Sequence, residues 1–393
     1  MQTATPREPM TPAAAQRPAS LSSLDGSAGA STPGLLALEG GSVYHGRLRG
    51  AMVPAVGDLI FTTAATGWGE ILTDPSYAGQ VVVLTHPMAG SYRIAATDLE
   101  SDRVHARALV VTRLVTPPPG PGVSLDELLV EAGISAIEGI DTRALTLELR
   151  RGARRRVAIV SGVDAAGAVE AARATTPWEA ADHVASVATP RPYLVAPAGE
   201  RRLRAALVDY GVKRSLLRAF AERGVEIAVL PHDATADDVA AQDPDLVVLS
   251  PGPGDPSRMA PQIEHVRELA RRAADGGAPI LGVCLGHQLL ALAGGARTRR
   301  LPVGHHGGNH AVLELGSGLV DIGAHNHEVE VLDDAALAAA GYTVSHRDLN
   351  DRTVEGLAHA SGRIASVQFH PEGAPGPIDA ARIFDQAVAR SGA

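Results

Sequence analysis

The chain of 393 residues uses cysteine once, at position 284, and aromatic side chains make up only 3% of it. A single cysteine excludes an intrachain disulfide, which suits a reducing compartment and predicts a cytoplasmic protein. Scarce aromatics mean cores built mostly from Ala, Val, Leu and Ile. No apolar run approaches the roughly 18 residues that cross a bilayer, so no membrane partner is expected. Surplus positive charge is lacking as well: the formal charge is -9. Nucleic-acid binding is therefore not expected, since it draws on clustered Lys and Arg. The local exception, Arg150, Arg151, Arg154, Arg155 and Arg156, reads as a solvated turn before the strand VAIVSG, with an anion or acidic-partner contact as the alternative. Residues 1–33 contain no apolar stretch of the secretory kind, and Pro6, Pro9, Pro12 and Pro18 break any amphipathic transit helix. They are expected to form a disordered leader. No GxxxxGK[ST] phosphate loop occurs.

What is present falls into two textures. From residue 34 to about 188, strand-like stretches such as GSVYHGRL, DLIFTT and QVVVLTHP mix with the helical patterns SLDELLVEAG and IDTRALTLELRRG without strict alternation. Ser124 and Glu127 have capping-box spacing. This predicts a mixed α+β domain. Residues 189–202 (TPRPYLVAPAGERR) have the composition of a linker. From 203 to 393 apolar strands alternate with helical segments, which predicts an α/β domain with a doubly wound, mostly parallel sheet. In that architecture ligands sit at the carboxyl ends of the strands.

Cys284 stands at such an end. APILGVC reads as a strand, HQLLALAGG as the following helix, and GVCLG matches a nucleophile elbow with cysteine in place of serine. The competing reading is a small buried packing residue. Downstream, VQFHPEG supplies His370 and Glu372, a base and a carboxylate able to orient it. LSPGPGDP offers Gly252 and Gly254, whose N–H groups could cradle an oxyanion. Histidines gather at His305, His306 and His310 and at His325 and His327, but no carboxylate or second cysteine stands at metal-ligand spacing, so no metal is expected.

Together GPGDP, GVCLGHQLLALAGGA, GHHGGNH and HPEGAPGP resemble the class I glutamine amidotransferases. TGWGEILTDPSYAGQVV, VHARALVV and IDTRALT in the first domain resemble, more narrowly, the small-subunit family of carbamoyl phosphate synthetase. The resemblance implies that Cys284 attacks the side-chain amide of L-glutamine, that His370 shuttles the proton and that Glu372 orients it. It further implies glutamine contacts from Ser76, Gly252, Gly254, Leu285, Gln288 and Asn326, with an oxyanion hole near Leu285 and Gly254. It implies no cofactor in this chain. A large carbamoyl phosphate synthetase subunit would be the partner, using ATP and Mg to turn the ammonia and bicarbonate into carbamoyl phosphate for arginine and pyrimidine biosynthesis.

The chain departs from the family where NHGF or NHGY is usual: it has Asn326, His327, Glu328 and Val329. Glu328 is expected either to meet the substrate's α-ammonium or to narrow the pocket. GSYRIAATD and TGWGE also differ from the usual first-domain motifs. Three readings stay open beside the main one: an amidotransferase subunit for another acceptor enzyme, a glutamine-binding regulatory subunit, and a γ-glutamyl peptide hydrolase.

Overall fold

The computed structural model describes residues 31–152 and 155–392. Most of the expected leader, and Arg154, lie outside them. The first strand already begins at Thr32.

Seven strands close into a barrel in the order β1-β2-β8-β6-β4-β3-β9. They are β1 (Thr32–Leu38), β2 (Val43–Gly50), β3 (Ala55–Thr62), β4 (Gln80–Leu84), β6 (Ala108–Val111), β8 (Ser135–Glu138) and β9 (Arg156–Val160); β5 (Met88–Ala89) and β7 (Arg113–Leu114) form a separate two-stranded ribbon. Strand alternation sorts the apolar side chains. Leu36, Leu48, Phe61, Val83, Val110, Ile137 and Ile159, one from each strand, converge in a single cluster, whereas Ile60, Val82 and Leu109 pack outward against Trp68, Ile71 and Leu129. The mixture of strands and helices anticipated for this region is present, and its closure into a barrel is the added finding. The helix Leu125–Glu131 carries the reciprocal Ser124–Glu127 capping box.

A second sheet has ten strands in the order β10-β12-β11-β13-β14-β19-β18-β17-β15-β16. β10 (Tyr193–Val195) lies within the proline-rich connection and pairs antiparallel with β12 (Val225–Leu230). β12, β11 (Leu203–Val208), β13 (Leu246–Leu249), β14 (Ile280–Val283) and β19 (Ile364–Val367) run parallel. Helices Ala260–Ala274 and Leu285–Ala293 pack into one core cluster, and helices Arg214–Ala221 and Arg382–Arg390 into another. Apart from Arg204, Glu226 and Ser366 these parallel strands are apolar, as strands covered on both faces tend to be. The sheet continues antiparallel through β18 (Val354–His359), β17 (Tyr342–Asp348) and the long pair β15 (Thr298–Glu314) and β16 (Val320–Val331). The histidine motifs lie on that last pair. Among the described residues, no helix is long and apolar enough to cross a membrane.

Candidate active site

Three neighbouring parallel strands, β13, β14 and β19, end on one side of the sheet. Beyond β13 comes Gly252-Pro253-Gly254, beyond β14 comes Cys284, and beyond β19 comes His370. Cys284 caps helix Leu285–Ala293 with φ 52° and ψ -103°, a left-handed, strained backbone for a side chain with a Cβ and the conformation of a nucleophile elbow. Close packing holds it there. A Cβ on Gly286 would meet the Leu249 carbonyl oxygen at 2.3 Å, and one on Gly252 would meet the Tyr210 carbonyl oxygen at 2.2 Å. Only glycine lets this helix and the β13 loop approach so closely.

The thiol lies 3.9 Å from the Asn326 carbonyl oxygen and receives a contact from Gln368 Nε2 at 3.6 Å. His370 Nδ1 and Glu372 Oε1 are 2.8 Å apart. The opposite nitrogen, Nε2, is buried with no hydrogen-bond partner, and the Cys284 side chain is among the groups that hold the ring protonated. Burial alone would push His370 down; the Glu372 carboxylate overrides it and holds the ring up to about 10. Burial would likewise raise Glu372, yet Lys213 and His370 hold it down at about 2. Lys213 Nζ sits 3.1 Å from Glu372 Oε1, with both side chains out of solvent. Buried lysines are rare unless paired, so the Cys-His-Glu series has a fourth, cationic member.

Cys284, Ser76, Gly252, Gly254, Gln288 and Asn326 line one cleft of about 320 Å³. Ser76 reaches it from the first domain, on a 3-10 turn capped by Asp74 Oδ1 at 2.8 Å from the Ser76 N–H. The Ser76 Oγ and Asn326 Nδ2 are buried without partners, hydrogen-bonding capacity that a bound polar ligand can use. Gln288 Nε2 donates to the Val329 carbonyl and to Gln368 Oε1, both at 2.9 Å. Leu285 differs: its side chain packs in the apolar core, which leaves its main-chain N–H, in the first turn of the helix, as its means of contact. His370 faces a neighbouring cavity of about 270 Å³, bordered also by Lys213 and Asn326.

Glu328 lines the cleft but is already engaged. His306 Nε2 meets its Oε1 at 2.8 Å, Arg155 pairs with Oε2, and Arg300 Nε lies 3.5 Å from the same oxygen. Burial would raise its pKa, and His306, Arg155 and Arg300 together drive it far below the carboxylate range. Its charge is thus matched inside the protein by His306, Arg155 and Arg300. Arg155 corrects an expectation, because it crosses from the first domain to the second instead of solvating a turn. Arg156 pairs with Glu39. Arg300 adds a 3.0 Å bond to Asp58 and an ion pair with Glu179 across the same boundary.

Sequence reasoning missed Lys213, Gln368 and the Arg155–Glu328–Arg300 set. Gln368 had a signal, as a polar residue in the apolar run RIASVQF. Lys213 had none, for a lysine before a helix is ordinarily exposed.

Two family descriptions match in tandem: "Carbamoyl-phosphate synthase small chain, CPSase domain" over residues 36–159 and "Glutamine amidotransferase class-I" over residues 206–389. The chain is 41% identical to the carbamoyl phosphate synthase small chain of Chlorobaculum tepidum over 357 residues, covering 90% of this chain and 96% of that one. It is 41% identical to the protein so named in Streptomyces coelicolor, covering 91% and 95%, and 39% identical to that of Bacillus caldolyticus, covering 90% and 95%. With both family descriptions matched in tandem and these relatives covering nine-tenths of it, the chain belongs to the carbamoyl phosphate synthase small chains, the glutamine-hydrolysing subunits of class I amidotransferase type.

Proposed function

We propose that this chain hydrolyses L-glutamine at Cys284 on its doubly wound domain and hands the ammonia, in the cytoplasm, to a large synthetase subunit that makes carbamoyl phosphate from bicarbonate and two ATP. The observation that carries the reading is the buried Cys284, set beside the series His370, Glu372 and Lys213, in a cleft whose free polar groups suit a small amino acid amide.

The thiol gives its proton to His370, and the sulfur attacks the amide carbon. The developing oxyanion would be met by the main-chain N–H groups of Leu285 and Gly254. The C–N bond breaks as His370 returns the proton to nitrogen, releasing ammonia and leaving a γ-glutamyl thioester. Water then adds to the thioester with His370 taking its proton, the C–S bond breaks, and glutamate leaves. Glu372 fixes the ring through Nδ1, and Lys213 keeps Glu372 ionised in a dry setting. Ser76, Gly252, Gln288 and Asn326 would hold the amino acid.

Glutamate release is measured for the isolated chain, then with a cognate large subunit, bicarbonate and ATP. Slow hydrolysis alone, faster hydrolysis in the complex and carbamoyl phosphate as product are expected. Cys284→Ser should cost on the order of 10⁴-fold or more in glutamine hydrolysis, while the complex still makes carbamoyl phosphate from added ammonium. An absence of product with the cognate partner overturns the reading.

A further inference from the structure

Behind the cleft, β15, β16, β17 and β18 bring His305, His325, His327, Asp348 and Glu355 into one buried knot, with the partly exposed His310 at its edge. Local spacing showed no acidic ligand because both carboxylates arrive from other strands.

We propose that His305 Nδ1, His325 Nε2, His327 Nε2 and Glu355 form a tetrahedral site for a divalent transition metal, with zinc favoured by three imidazoles and one carboxylate. One ligand atom from each of these four residues already lies within 4.8 Å of those of the others, and a zinc with bonds near 2.1 Å draws them to about 3.4 Å apart. The inner nitrogens His305 Nδ1 and His327 Nε2 are buried with no hydrogen-bond partner. The outer nitrogens are each fixed by an acceptor: His305 Nε2 by Asp351 Oδ2 at 2.8 Å, His325 Nδ1 by the Gly323 carbonyl at 3.3 Å, and His327 Nδ1 by the Val329 carbonyl at 3.0 Å. Anchoring one ring nitrogen so that the other presents a lone pair is how proteins orient metal-binding histidines. The Glu355 side chain lies 3.0 Å from His325, 3.6 Å from His305 and 3.8 Å from His327.

The site would have a consequence for the cleft. Asn326 stands between His325 and His327 on β16, so an ion there pins the strand that carries it. This inference does not depend on the glutaminase reading, because its test reads metal directly.

Full-length protein is loaded with zinc, dialysed and assayed for bound metal; cobalt(II) is added separately and its visible spectrum recorded. One zinc per chain and the intense bands of tetrahedral cobalt are expected, with Cys284→Ser giving the same result. His325→Gln should abolish both signals. Asp351→Asn, at a half-exposed position that leaves the core intact, should weaken zinc binding about 10–100-fold, and it carries the test if His325→Gln fails to fold. His310→Gln should retain the ion. Wild type that holds neither metal overturns the proposal, as does binding that requires Cys284 or His310.

Discussion

Glu372 and Glu328 are both buried carboxylates beside one cleft, and both are held ionised by cations, but the cations differ in kind and origin. Glu372 meets one lysine from its own domain and holds through Nδ1 the ring of His370, whose far nitrogen is buried without a partner. Glu328 meets two arginines, one of them from the barrel, together with His306. A lysine ammonium is a compact point charge, whereas the guanidinium offers several donors in a fixed fork. The first arrangement tunes a base; the second welds two domains and shapes a wall. Similar burial thus serves different ends according to which groups meet the carboxylate.

Lys213→Met separates the two most sharply. Removing one partner of a buried ion pair costs about 3–5 kcal/mol, and if that cost falls on the ionised Glu372–His370 pair, kcat for glutamine hydrolysis drops roughly 10²–10⁴-fold. KM should change little, because Lys213 is not part of the cleft wall. Steady-state kinetics with an unchanged kcat would reduce Lys213 to packing. The pair also predicts a pH profile of stability. His370 is raised from 6.5 to about 10, so its contribution is complete below pH 6.5 and lost as pH rises through about 10. Glu372 is lowered from 4.5 to about 2, so its contribution is present above pH 4.5 and lost as pH falls through about 2. Thermal melts of wild type should therefore lose stability on the alkaline side, and His370→Asn should flatten that flank.

Glu328→Gln tests the other region. It leaves Arg155 and Arg300 without their shared anion, and because both guanidiniums keep some solvent the cost is set at about 2–3 kcal/mol, below the fully buried case. Differential scanning calorimetry should show a lower Tm, with KM for glutamine rising more than kcat falls as the wall loosens. A fall confined to kcat would place Glu328 in the chemistry and erase the contrast with Glu372.

The sequence made the elbow legible because its signals are local. A strand, two glycines around Cys284 and a helix lie within a dozen residues, and His370 and Glu372 are two apart. Strand and helix alternation gave the second sheet for the same reason. Barrel closure was not legible, since it depends on register among seven strands scattered from Thr32 to Val160. The Arg155–Glu328 pair joins residues 173 positions apart, and no pattern near either one points to the other. Lys213 was hidden for a third reason: its role is set by complete burial, which composition around a helix start does not reveal.

The smallest expected effect comes from Ser76, which lies between the two regions and belongs to neither. Its hydroxyl oxygen is buried and unpartnered, unlike the two glutamates, whose charges are matched within the protein. A neutral hydrogen bond to a ligand is worth about 0.5–1.5 kcal/mol, so Ser76→Ala should raise KM for glutamine by about 3–10-fold and leave kcat and Tm nearly unchanged. The Ser76 N–H bond to Asp74 survives the substitution, because it uses the backbone, so the turn keeps its shape. Isothermal titration of glutamine into chains that also carry Cys284→Ser isolates binding from turnover. Equal affinity with and without the hydroxyl would mean that the barrel shapes the cleft without touching the substrate, and would leave the Arg155–Glu328 weld as the first domain's main contribution to the site.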